Sequence, residues 1–144
     1  MKNVLPLAYY RNDDVVALAR DLIGKVLFTC IDGEITAVVI TETEAYNGIT
    51  DRASHAFGGR RTARTEVMYA AGGTSYVYLC YGMHYLFNIV TGKRDIPQAV
   101  LVRGGLPYTG THRMIQRRNL TDSRMLAPVN GPSILSKALG MNKS

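Results

Sequence analysis

The sequence predicts a single α+β domain, a mostly antiparallel sheet with flanking helices. Three observations carry that expectation. Residues 25–31 and 34–44 are β-prone runs joined by Asp32-Gly33, a dipeptide suited to a two-residue hairpin turn. Residues 74–80 and 84–91 repeat the arrangement around Tyr81-Gly82-Met83. Before both, Val15, Val16, Leu18, Ala19, Leu22 and Ile23 recur at helical spacing. Asn12 is a candidate cap for that helix, with Asp13 and Asp14 in its first turn and Gly24 placed to end it.

The remaining elements follow in order. Residues 47–59 have no clean period and read as a loop holding His55 and Gly58-Gly59. A short helix is expected over about 63–70 behind Thr62, and a strand over 98–103 ends on Arg103 before Gly104-Gly105. Residues 109–118 read as a basic helix. A polar loop with Pro128 and Asn130-Gly131-Pro132 then leads to a last helix over about 133–139.

At 144 residues the chain suits one domain with a real core. With 47% apolar and 19% charged residues, the composition is globular rather than disordered. No apolar run approaches a membrane span, and Met1 to Pro6 lack a signal-peptide core, so a soluble intracellular protein is expected. Cys30 and Cys80 lie in apolar runs, where buried free thiols are expected. Neither has a metal-type spacing with histidine, so no zinc site is expected. The net charge of +6 and pI near 9.5 point to an anionic partner. The cations cluster at Arg60, Arg61 and Arg64, and again at Arg113, Arg117, Arg118 and Arg124.

Chemistry concentrates after the apolar run 35–40. Glu42, Glu44 and Tyr46 share one parity, so an extended chain sets two carboxylates and a ring on one face. The second hairpin is rich in tyrosine: Tyr76 and Tyr78 share a parity, and Tyr81 sits at a glycine-flanked tip suited to wedging between bases. Gly58-Gly59-Arg60-Arg61 allows close backbone approach beside two cations, which suits phosphate contact. Each feature also has an ordinary reading, as a solvated strand end, a packed aromatic face or a basic loop.

Read together, ETEAYNGITDRASHAFGGRRT (42–62), GTSYVYLCYGMHYLFNIVTG (73–92), AVLVRG (99–104) and NGPSILSKALGMNKS (130–144) resemble the alkyladenine DNA glycosylases, also called 3-methyladenine-DNA glycosylases. The resemblance implies a curved sheet with a basic DNA-binding face. It makes Glu44 the general base that activates the water attacking the sugar C1′, and Arg103 the arginine that helps hold that water. Tyr46, His55 and Tyr78 match residues that stack on or contact the flipped base. Asn88 matches the asparagine that disfavours the exocyclic amine of guanine, and Tyr81 the side chain that fills the gap in the duplex. Arg60, Thr62, Met83, His84 and Lys143 fall at or beside positions that contact the DNA backbone or neighbouring bases.

The resemblance further implies a monomer that acts on damaged purines in double-stranded DNA, without cofactor, metal or membrane. The compartment expected is the bacterial cytoplasm at the nucleoid, or the nucleus in a eukaryote. No lysine lies within ETEAY to act as a Schiff-base nucleophile, so hydrolysis without strand cleavage is expected. There are departures. Gly104-Gly105-Leu106-Pro107 lacks the acid that the family usually places before the proline, and family members continue beyond the NKS motif with a segment that completes the sheet.

Overall fold

The computed structural model describes residues 4–121 and 129–142. Among them are α1 (Leu7–Tyr10), α2 (Val15–Leu22), β1 (Val26–Ile31), β2 (Glu34–Asn47), β3 (Ser75–Cys80) and β4 (His84–Thr91). After these come β5 (Gln98–Thr109), α3 (Thr111–Arg117), β6 (Val129–Asn130) and α4 (Pro132–Ala138). The strands form one sheet in the order β1-β2-β5-β4-β3, with β6 also paired to β5. β1 runs antiparallel to β2, β4 to β5, and β6 to β5. This is the α+β class with an antiparallel sheet that the sequence predicts. No described helix is long and apolar enough to cross a membrane.

Local chemistry explains the first elements. Asp32 and Gly33 both adopt positive φ (55° and 76°), and Ile31 pairs with Glu34, the signature of a type I′ two-residue hairpin. α2 buries Val15, Leu18, Ala19 and Leu22, a stripe at the spacing of one helix face. Its cap differs from expectation. Asp14 Oδ1 accepts the Ala17 N–H at 3.0 Å, while Asn12 sits one step back and accepts the Asp14 N–H at 3.0 Å.

By packing, the described residues form two compact units. The first, 4–20, 44–76 and 88–101, has a core that includes Leu18, Ala56, Met68, Tyr69, Tyr76, Val90 and Val100. The second, 21–43, 77–87, 102–121 and 129–142, buries Val38, Ile40, Phe87, Val102, Met114, Val129, Leu135 and Leu139. In that second unit α4 is tied down by polar contacts. Arg117 Nη1 donates to Thr36 Oγ1 at 3.0 Å and to the Ala138 carbonyl at 3.1 Å. Thr29 Oγ1 donates to the Leu139 carbonyl at 2.7 Å, and the Ser136 hydroxyl donates to the Tyr85 carbonyl. The bonds to the Ala138 and Leu139 carbonyls satisfy acceptors at the helix end that would otherwise lack partners.

Several expectations need correction. The predicted helix over 63–70 is a single 3₁₀ turn, Glu66–Tyr69; before it, the Thr62 and Thr65 hydroxyls each accept the other's backbone N–H, local bonds that a turn satisfies as well as a helix does. α1 and β6 carried too little periodicity to be expected. β5 does not stop at Gly104-Gly105. A side chain at Gly105 would come within 2.8 Å of Val38 Cβ, so the glycines mark close strand approach rather than a break. Cys30 is exposed and Cys80 half-buried, contrary to the expected buried thiols; Cys30 lies on the outer side of β1.

The turn into α3 gives a stability prediction. Gly110 caps that helix at φ 74°, and an added Cβ would overlap the Ile35 carbonyl oxygen and lie 2.9 Å from Thr36 Cγ2. Gly110→Ala should lower the free energy of unfolding by about 2–4 kcal/mol, since backbone strain and a backbone clash add. Urea titration measures it, and a change below about 0.5 kcal/mol would contradict this geometry.

Candidate active site

In the first unit, β2 delivers Glu44, Ala45 and Tyr46, all half-buried, whereas Glu42 is exposed. Burial thus distinguishes two acids that share a parity in sequence. The loop that follows is anchored immediately. Asp51 Oδ2 accepts the Asn47 N–H at 2.9 Å and Oδ1 accepts the Ala53 N–H at 3.0 Å. Gln98 Nε2 donates to Asn47 Oδ1 at 3.0 Å, which ties the strand end to β5. These bonds hold in place the loop that carries His55.

His55 Nδ1 lies 3.3 Å from the Tyr76 hydroxyl, with the two rings edge to face at 85°. Arg64 also hydrogen-bonds Tyr76. A guanidinium can only donate, so the Tyr76 oxygen accepts from Arg64, and the hydroxyl can still donate to or accept from His55 Nδ1, according to the tautomer of the ring. Burial, reinforced by the charges of Arg64 and Arg60, pushes the His55 pKa below its usual value, so the ring is neutral at pH 7. Burial likewise raises the Tyr76 pKa.

Asn88, 2% exposed, donates its Nδ2 proton to the Tyr76 carbonyl at 3.3 Å. That bond fixes which way the amide points, since a carbonyl can only accept. Tyr76 therefore joins His55 to Asn88, while Arg60 and Thr62 lie exposed on the following loop. Tyr76 and Arg64 are the residues that sequence reasoning left without a role. Tyr76 was visible in the tyrosine alternation and Arg64 in the basic cluster, but nothing in sequence joins either to His55.

In the second unit, Tyr78 is buried on β3 and Arg103 half-buried on β5, where its carbonyl accepts the Gly131 N–H at 2.9 Å. Tyr81 tips the β3–β4 hairpin at φ 53° and is 92% exposed, with Gly82 also at positive φ. The Met83 N–H closes the turn on the Cys80 carbonyl at 3.2 Å, and Met83 and His84 are exposed beside it. A cleft of about 780 Å³ is bordered by Met83, His84, Arg118 and Lys137.

Lys143 and Arg124 lie outside the described residues. The second basic cluster is partly committed to structure: Arg117 holds α4, and Arg113 Nε pairs with Glu34 at 3.0 Å. Among the described residues, no group of three His, Cys, Asp or Glu side chains could hold a metal.

The pattern of the methylpurine-DNA glycosylase (MPG) family matches residues 8–144. A curated relative from Chlamydia abortus, named "Putative 3-methyladenine DNA glycosylase", is 46% identical over 138 residues, covering 96% of this chain and 73% of the relative. Relatives bearing the same name from Chlamydia pneumoniae and Desulfitobacterium hafniense are each 47% identical, over 93% and 94% of this chain and 68% and 70% of their own lengths. These matches define the class as a DNA glycosylase, a hydrolase of N-glycosyl bonds that serves DNA repair. Within that class, the chain belongs to the methylpurine-DNA glycosylase family.

Proposed function

We propose that this protein excises alkylated or deaminated purines, such as 3-methyladenine, ethenoadenine and hypoxanthine, from duplex DNA by hydrolysis. Base flipping brings the damaged nucleotide to the protein, and the sugar–phosphate strand is left intact. Glu44 is the general base, Arg103 steadies the attacking water, and Tyr46, His55, Tyr78 and Asn88 receive the base. Tyr81 fills the vacated stack. Arg60, Thr62, Met83, His84 and Lys143 hold the flanking DNA, and the protein works as a monomer.

The observation that carries this reading is the placement of Glu44. It is a half-buried carboxylate at a strand end, and the loop directly after it holds His55 in the bonded set with Tyr76 and Asn88. N-glycosidic cleavage passes through an oxocarbenium-like state, so a carboxylate beside C1′ both stabilises positive charge and polarises water. Alkylated purines already leave readily, and damaged bases cost less to extrude, so both effects favour lesions. The neutral His55 ring adds no positive charge near the cation that develops.

An exposed aromatic at a hairpin tip beside cations favours duplex DNA over a free nucleoside. Competition tests this choice. Excision from a hypoxanthine-containing duplex should be unaffected by millimolar inosine and should weaken steeply as salt rises. Hydrolysis of free inosine at a rate comparable to the duplex would instead indicate a small-molecule nucleosidase.

A further inference from the structure

Arg60, Arg61 and Arg64 look equivalent in sequence, yet the structure gives Arg61 a different task. Its Nε and Nη2 donate to the two carboxylate oxygens of Glu66 at 2.9 and 2.8 Å, and its Nη1 to Asp95 at 3.1 Å. The guanidinium carbon stands 4.5 Å from the centre of the Tyr69 ring. The Tyr69 hydroxyl in turn donates to the Arg60 carbonyl at 2.9 Å, and the Tyr69 carbonyl accepts the Asp95 N–H at 2.7 Å. Thr65 Oγ1 lies 3.1 Å from the Arg60 carbonyl and accepts the Thr62 N–H at 2.8 Å. Asp95 holds its place at φ 70°, a conformation few non-glycine residues adopt.

These contacts converge on one short stretch of backbone. The Arg60 carbonyl and Thr62 N–H are fixed from within, while the side chains of Arg60 and Thr62 remain exposed. We propose that Arg61 is a positioning residue, which spends its charge on Glu66 and Asp95 to lock the 60–65 turn so that Arg60 and Thr62 meet the DNA backbone already ordered. Arg61 itself makes no phosphate contact. The inference rests on the reading above that Arg60 and Thr62 touch DNA. The bidentate Arg61 guanidinium lowers the Glu66 pKa, and Glu66 in turn raises that of Arg61.

The sign of one substitution separates a lock from a simple charge. If Arg61 were a free cation facing DNA, Glu66→Gln would remove a repelling acid and tighten binding. The lock predicts the opposite. Glu66→Gln and Arg61→Gln should each weaken binding to a hypoxanthine-containing duplex by about three- to tenfold, the cost of ordering a few side chains on binding. The double variant should be no weaker than either single variant, because both break the same unit. The single-turnover rate at saturating DNA should stay at the wild-type value.

Arg60→Gln, measured alongside, tells the two failures apart. No effect of Arg60→Gln would overturn the assignment of this loop to DNA. If Arg60→Gln weakens binding while Glu66→Gln tightens it or leaves it unchanged, the lock is overturned and the assignment stands. Additive losses in the double variant, or a fall in the saturating rate, would also overturn it.

Discussion

Glu44→Gln should cut single-turnover base release by about 10²–10⁴-fold, the range in which a positioned general base contributes. That loss corresponds to about 3–5.5 kcal/mol of transition-state stabilisation. The amide keeps the size and hydrogen-bonding shape of the acid but can neither accept the water's proton nor offset positive charge on the sugar. Duplex binding should be retained or tightened, since one negative charge leaves a surface that meets phosphate. Glu42→Gln is the paired control. Glu42 lies exposed two residues away on the same strand, so its variant should excise within about threefold of wild type, the size of an ordinary surface effect. Equal losses in both variants would remove Glu44 from its role.

Tyr81→Asn should separate stability from function. A tyrosine at φ 53° is held in the left-handed region, which costs an ordinary residue about 1–2 kcal/mol, whereas asparagine tolerates it. With 92% of its surface exposed, the ring returns little of that cost through packing. The variant should therefore be as stable as wild type or up to about 1 kcal/mol more stable. It should nevertheless lose about tenfold or more in excision from a stable base pair, because nothing then fills the gap left by the flipped nucleotide. The loss should shrink when the lesion faces a mismatch, where unpairing is already partly complete. Thermal unfolding and single-turnover kinetics on paired and mismatched duplexes provide the readouts. Undiminished excision from both would contradict the wedge.

Local rules made much of the fold legible. Asp32-Gly33 could serve little else than a type I′ turn, and the stripe from Val15 to Leu22 set one face of α2. What escaped was decided by contacts distant in sequence. Gly104-Gly105 has the composition of a break, yet β5 continues through it, and glycine stands there because Val38 and the Val129 carbonyl occupy the space side chains would need. β6 is two residues long and exists through its pairing with Gly104 and Gly105. At the site, parity placed Glu42, Glu44 and Tyr46 on one face but could not say how far each is buried. The bond from His55 to Tyr76 spans 21 residues and the Arg61–Asp95 pair 34, so neither leaves a mark in local pattern. Composition counted Arg61, Arg113 and Arg117 as free charge; the structure commits each to a partner.

The most direct test follows the base and the strand. A duplex carrying one hypoxanthine is incubated with excess protein, and the products are weighed by mass spectrometry. The proposed mechanism predicts free hypoxanthine and an uncut strand that carries one abasic sugar. Folded protein that binds the duplex yet releases no base, or a strand cut without alkali, would contradict it.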